Sequence, residues 1–178
     1  SLHPEPLPEA APLAGELELA VEATGLNFRD VLNALGLLEA HAAQLGLADT
    51  RRLPFGGECV GRVVAVGAGV DPALLGTRMI AALTVGSLAS HVVARAELCV
   101  PLPPELSPAQ GASLTTAFLT AIYGLEQLAR LQPGETVLIH AAAGGVGQAA
   151  LQVARRAGAR ILATASAAKQ QLLLEQGV

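Results

Sequence analysis

The strongest chemical signal is the stretch Thr136-Val137-Leu138-Ile139-His140-Ala141-Ala142-Ala143-Gly144-Gly145-Val146-Gly147. An apolar run of strand character enters a glycine-rich turn that opens a helix, with Ala142, Gly144 and Gly147 at the three positions of a GxGxxG pattern. Small residues at that spacing let the backbone approach a pyrophosphate closely. The free N–H groups at the helix amino terminus, the positive end of its dipole, then receive the anion. Gly147 also lets helix and strand pack tightly, and Ala142 in place of the first glycine is a mild weakening. With a strand before it, a helix after it and a second strand about twenty residues on, the turn is expected to bind a dinucleotide through Ala142, Ala143, Gly144, Gly145, Val146 and Gly147. The alternative is a turn kept small for packing alone.

The end of the second strand sharpens the choice of dinucleotide. An NAD site places Asp or Glu there to hold the ribose 2′-hydroxyl, whereas this chain has Thr164-Ala165-Ser166-Ala167-Ala168-Lys169, without an acid. Ser166 can donate a hydrogen bond and Lys169 a charge to a 2′-phosphate, and no carboxylate is present to repel it. NADPH is therefore the expected cofactor. The plainer alternative makes Ser166 a helix N-cap and Lys169 a solvated surface charge. Of 11 Lys and Arg residues, Lys169 is the single Lys.

Other reactive residues do not form a constellation. Cys59 and Cys99 match no metal-ligand spacing and read as small buried hydrophobes. His3, His41, His91 and His140 are scattered, and His140 at a strand end reads as packed or hydrogen-bonded rather than catalytic. Apolar residues make up 52% of the 178 and charged ones 15%, which excludes intrinsic disorder. A net charge of −4 with three Phe, one Tyr and no Trp provides neither a basic stripe nor a stacking platform, so nucleic-acid binding is not expected. The uncharged windows 106–125 and 136–154 have the length of a membrane span but contain Pro, Gln, Thr, His and Gly, which suit buried core better than bilayer. No signal peptide or disulfide framework is visible, and a cytoplasmic location is expected.

Around these residues the pattern divides in two near residue 107. Residues 1–14 read as a leader or linker. Residues 15–22 alternate Leu17, Leu19 and Val21 with Glu16, Glu18 and Glu22, the period of a strand with one wet face. A helix is expected over 28–35, a long loop over 36–55, and strands at 59–66, 78–83, 88–94 and 97–100, which together suggest a small barrel. Beyond it, Ser107-Pro108 starts a helix, 116–129 reads as another and Pro133-Gly134 as a turn. Strand 136–140, helix 145–157, strand 160–164 and helix 168–175 then alternate as in a parallel, doubly wound sheet. The expected domains are thus 1–107, the barrel part on the substrate side, and 108–178, the amino-terminal half of a nucleotide-binding Rossmann domain.

A barrel leading into a nucleotide-binding half resembles the medium-chain dehydrogenase/reductase superfamily. Within it, Gly25-Leu26-Asn27-Phe28-Arg29-Asp30-Val31-Leu32, Phe118-Leu119-Thr120-Ala121-Ile122-Tyr123-Gly124-Leu125, His140 to Gly147 and Ala163 to Lys169 resemble the enoylreductase domains of modular polyketide synthases. Asn33 to Leu38 and Leu53 to Cys59 are similar to the cyanobacterial-type subset of those domains. The resemblance implies a GroES-like barrel part followed by half of a Rossmann sheet. It also implies hydride transfer from NADPH to the β-carbon of an α,β-unsaturated thioester on an acyl carrier protein, beside neighbouring polyketide synthase domains. It places the nicotinamide end near Asn27 and Thr120; taken alone, Asn27 also reads as the N-cap of the helix over 28–35 and Thr120 as an ordinary helix residue. The runner-up activity is that of a free-standing NADPH quinone or enone reductase, and a third reading is a non-catalytic remnant of the fold.

Departures from the family pattern carry their own expectations. Zinc members have His before the Glu of a Gly-His-Glu block, whereas this chain has Gly56-Gly57-Glu58, no Cys in 24–30 and no four-cysteine loop. No metal is expected, and Glu58 reads as structural. Leu38 stands where many members have a Tyr linked to protonation, and Leu cannot donate a proton. The family's Lys and Asp candidates for acid catalysis lie beyond residue 178, so catalytic residues are left unassigned. Gly76-Thr77-Arg78 stands where Gly-Asp-Arg is usual. The chain begins at Ser1, has Met79 as its one Met and stops after a helical run. It is expected to be a piece of a longer reductase and to be inactive in isolation.

Overall fold

The computed structural model describes Pro6, residues 11–38 and residues 53–178. His3, His41 and most of the expected leader and 36–55 loop lie outside those residues. The chain forms two compact units, one ending at Thr115 and one running from Thr116 to Val178.

The first unit is built on one antiparallel sheet of five strands: β1 (Glu16–Thr24), β2 (Cys59–Val66), β3 (Arg78–Ala81), β4 (His91–Arg95) and β5 (Cys99–Pro101), in the order β4-β1-β2-β3-β5. The Leu–Glu alternation of β1 works as its period requires: Leu17 and Leu19 are fully buried beside Cys59, Val63, Met79 and Ala81, while the glutamates face outward. Glu22 on the wet face lies 2.8 Å from Arg78 and 3.5 Å from Arg62, two like charges placed opposite each other by the β2–β3 register. Two register shifts in β1, at Glu18/Leu19 and Val21/Ala23, bend the sheet. β3 ends earlier than the expected 78–83, because Leu83 takes φ 51 and turns the chain out of the ladder.

Two short helices belong to this unit: α1 (Phe28–Ala34) and α2 (Pro108–Ala112). α2 starts at Ser107, whose Oγ accepts from Gln110 N–H while Gln110 Oε1 accepts from Ser107 N–H, the reciprocal pair that Ser-Pro-x-Gln encodes. A Cβ on Gly111 would stand 2.5 Å from Leu102 Cδ1 and 2.9 Å from Val60 Cγ2, so α2 lies close on the sheet. That packing is why the compact unit continues through α2, one short helix beyond residue 107.

In the second unit α3 (Thr115–Ile122) runs on into a wider turn over Tyr123–Leu128, with Ala129 N–H donating to Gly124 O. The helix expected over 116–129 is therefore α-helical in its first part only. Strands β6 (Thr136–Ile139) and β7 (Arg160–Ala163) pair in parallel, Leu138 opposite Leu162, with α4 (Gly145–Arg156) between them and α5 (Ala167–Glu175) following. α4 buries Ala149, Ala150, Leu151, Val153 and Ala154, an alanine-rich face that lets it sit close to the strands, and carries Arg155 and Arg156 at the negative end of its dipole. The opposite face of the strand pair leaves Leu138 and Leu162 about half exposed. Among the described residues no helix is long and apolar enough to cross a membrane; windows 106–125 and 136–154 are broken into short elements.

Candidate functional site

β6 delivers the chain to the glycine turn, and the end of β7 holds it there. Thr164 N–H donates to Ile139 O at 3.0 Å, Ala142 N–H donates to Thr164 O at 2.9 Å, and Ala141 N–H donates to Thr164 Oγ1 at 3.2 Å. His140 Nδ1 lies 3.2 Å from the same hydroxyl, so His140 is hydrogen-bonded at the strand end. Ala141 takes φ 50, a left-handed conformation uncommon for a residue with a Cβ, and its carbonyl accepts Gly144 N–H at 2.8 Å. Thr164 was not singled out by the sequence. The signal available was a hydroxyl residue at the carboxyl end of β7, which parallel register sets beside His140.

The small residues of the turn serve different ends. Ala142 is fully buried and its carbonyl accepts Gln148 Nε2 at 3.1 Å, so its backbone is committed within the protein. A Cβ on Gly147 would stand 2.5 Å from Ala141 O and 2.6 Å from Ala142 Cα, which makes glycine a packing requirement there. A Cβ on Gly144 would touch only Ala141 O, at 3.2 Å, and one on Gly145 would meet nothing within 4 Å. Gly144 is the extended N-cap of α4, Ala143 is half-buried, and Gly145 and Val146 face outward. The first turn of a helix leaves its N–H groups without intrahelical acceptors, and here those of Gly145, Val146 and Gly147 end a twelve-residue helix. Open space at glycine positions, next to free helix N–H groups, is a cradle with the donor set and room that a pyrophosphate needs.

Ser166 is the N-cap of α5 in position and backbone conformation, but its hydroxyl makes no capping bond. Lys169, on the first turn of α5, is exposed, and its ammonium has no hydrogen-bond or ion-pair partner among the described residues. Both polar groups are therefore available together at one helix start. A cavity of about 350 Å³ lies beyond the end of β7, bordered by Thr164, Ala165, Gln170 and Leu173. Thr120, on α3, is exposed, and its hydroxyl donates to Thr116 O at 2.7 Å, leaving its oxygen as an acceptor.

In the first unit Asn27 is the N-cap of α1, fixed from two sides by acids. Asp30 accepts Asn27 N–H at 2.9 Å and Gly56 N–H at 2.8 Å. Glu58, 3% exposed, accepts Asn27 Nδ2 at 3.0 Å on one carboxylate oxygen and Thr115 Oγ1 at 2.6 Å on the other. Its carbonyl accepts Gly25 N–H, the Thr24 hydroxyl and the buried Ser87 hydroxyl at 3.0 to 3.1 Å. Among the described residues no three His, Cys, Asp or Glu come together as metal ligands. Cys59 and Cys99 are buried thiols, pushed up to about 12 and about 11 by burial, with each other's proximity and Glu58 adding to the shift at Cys59.

Residues 13–104 match the alcohol dehydrogenase GroES-like domain family. Over 175 residues, 97% of its length, the chain is 49% identical to the spectinabilin polyketide synthase system protein NorB of Streptomyces orinoci and spans 8% of that protein. The crystal structure of the CurK enoyl reductase matches 98% of the chain with a TM-score of 0.94 and 48% identity, the chain spanning 53% of it. The Escherichia coli quinone oxidoreductase complexed with NADPH matches 96% with a TM-score of 0.78 and 32% identity, the chain spanning 51%.

Proposed function

The chain belongs to the alcohol dehydrogenase GroES-like domain family of the medium-chain dehydrogenase/reductase superfamily, and on that premise we propose that it is part of an NADPH-dependent enoyl reductase of polyketide biosynthesis. The observation that carries the cofactor half of this reading is the open space at Gly145, beside the free N–H groups on the amino end of α4. Backbone N–H groups from Gly145 to Gly147 receive the pyrophosphate, with Ala142 and Ala143 shaping the approach and Val146 bordering it. Ser166 and Lys169 bind the 2′-phosphate, the hydroxyl as donor and the ammonium as charge. Asn27 and Thr120 hold the nicotinamide end. NADPH, when bound, supplies hydride to the β-carbon of an α,β-unsaturated thioester presented on an acyl carrier protein.

In this reading the first unit, whose residues 13–104 match the GroES-like domain family, forms the substrate side of the reaction. No protonating group is assigned to this chain; Leu38 cannot serve as one. The reading is supported by relatives that are polyketide synthases and by the likeness to solved enoyl reductases. The quinone oxidoreductase likeness favours a second reading, a free-standing quinone or enone reductase.

One experiment tests both. The full-length polypeptide carrying this sequence is assayed with NADPH against a crotonyl thioester and a simple quinone. Faster reduction of the thioester supports the enoyl reductase, and preference for the quinone supports the second reading. No reduction of either, with NADPH still bound, means a non-catalytic remnant.

A further inference from the structure

We propose that Glu58 is a positioning residue that sets the orientation of the Asn27 amide. The inference rests on the assignment of Asn27 to the nicotinamide end. An amide can present either its oxygen or its NH2 group to a neighbour, and the two ends are close in shape. A carboxylate removes the choice, because it only accepts. With Glu58 Oε1 at 3.0 Å from Asn27 Nδ2, the NH2 group must face Glu58 and the carbonyl oxygen must be held on the other side. What Asn27 then offers a ligand is its second N–H and the remaining acceptor capacity of an oxygen that also faces the Asp30 N–H, in a fixed order. A carboxamide, which carries one acceptor and one NH2 group of its own, reads that order.

The surroundings hold Glu58 as firmly as Glu58 holds Asn27. Thr115 Oγ1 donates to the second carboxylate oxygen at 2.6 Å. The Glu58 carbonyl accepts from Gly25, Thr24 and Ser87, which fixes the residue's backbone. Gly25 leaves the carboxylate its room: a Cβ there would stand 2.6 Å from Glu58 Cγ and 2.7 Å from Oε1. Asp30 meanwhile fixes the Asn27 backbone through its N–H. Backbone and side chain of Asn27 are thus each pinned by a different acid, and the capping box, in which the Asn27 side chain faces the Asp30 N–H, agrees with the orientation that Glu58 sets.

The test uses the full-length polypeptide, with NADPH and 2′,5′-ADP, which lacks the nicotinamide, as paired ligands and thermal unfolding as the control. Glu58→Gln keeps the shape but no longer dictates the order, since Gln can offer Asn27 either end. NADPH binding should weaken about fivefold, the size of one hydrogen bond, while 2′,5′-ADP binding holds. In an Asn27→Ala background the same change should add nothing. Thr115→Val, which removes one donor to the carboxylate without touching Asn27, should give the same pattern at about twofold. Unchanged NADPH affinity in Glu58→Gln, with Asn27→Ala weakened, would overturn the proposal and leave the Asn27 assignment standing. Equal losses for both ligands, or losses that add to Asn27→Ala, would overturn it in favour of a general structural role. Unchanged NADPH affinity in Asn27→Ala would overturn the Asn27 assignment and this inference with it.

Discussion

In the first unit a Cβ added to Gly25 would stand 2.4 Å from Ala112 O, and one added to Gly67 would stand 1.7 Å from Leu13 O; in the second, one added to Gly145 would meet nothing within 4 Å. Gly25 and Gly67 are demanded by the protein's own packing, although a Cβ on Gly57 of the same unit would meet nothing within 4 Å. In the second unit Gly147 follows the same rule, but Gly145 does not. Neither a left-handed backbone nor a neighbour within 4 Å requires glycine at 145, and at Gly144 the one close atom is Ala141 O at 3.2 Å. Polar groups divide the same way. Around Glu58 and Ser87 they are buried and hydrogen-bonded to one another, whereas the Ser166 hydroxyl, the Lys169 ammonium and the N–H groups of the first turn of α4 face outward. The Glu58 and Ser87 cluster of the first unit is closed chemically; the start of α4 in the second is left open where an anion would sit.

That contrast can be broken first at its strongest point. Gly147→Ala and Gly25→Ala each force backbone to move and should each lower stability by about 3 kcal/mol, read as a shift in urea midpoint. A loss under about 1 kcal/mol would mean that the close approaches are not requirements. Next in size is Lys169→Ala, which should cancel a preference of about tenfold or more for NADPH over NADH, measured by nicotinamide fluorescence, without changing stability. Equal affinities in the unaltered protein would remove the 2′-phosphate assignment. Thr164→Val should cost about 1 to 2 kcal/mol, because the Ala141 N–H and His140 lose their shared partner. A neutral result would mean that the β7 hydroxyl does not hold the turn.

The smallest effect concerns pH. The two buried thiols keep their protons in the folded chain to about 12 and about 11, against 9.0 when exposed. Between pH 9 and those values the unfolded state releases protons that the folded state retains, so stability should fall as pH rises through that window and be independent of these thiols below it. Chemical unfolding between pH 8 and 11 should show the decline, and replacing both cysteines with Ala should make it shallower. An unchanged slope would contradict the assignment.

Local signals were legible in the sequence and distant ones were not. The alternation of β1, the glycine turn and the β6-α4-β7-α5 order follow from periods and turn residues within a few positions of each other, and the structure has them with ends displaced by a residue or two. Glu58 read as structural from a missing His, but its partners Asn27 and Thr115 lie 31 and 57 residues away. No spacing rule connects them. Thr164 escaped for a related reason: its role depends on the parallel register of β6 and β7. The wide turn at Tyr123–Leu128 has the same apolar spacing as an ordinary helix, so periodicity could not separate the two. Ser166 is the reverse case. Its N-cap position was legible, and the structure adds that its hydroxyl is not used for capping.

The most direct test of the open-turn account is the NADPH dissociation constant of the full-length polypeptide carrying Gly144→Ala and Gly145→Ala together. The fold should survive, with a cost of about 1 to 2 kcal/mol, most of it from the 3.2 Å approach of the methyl added at Gly144 to Ala141 O. NADPH binding should weaken tenfold or more because two methyl groups occupy the space for the pyrophosphate. Unchanged NADPH affinity in the folded double variant would contradict the account and leave the turn as packing alone.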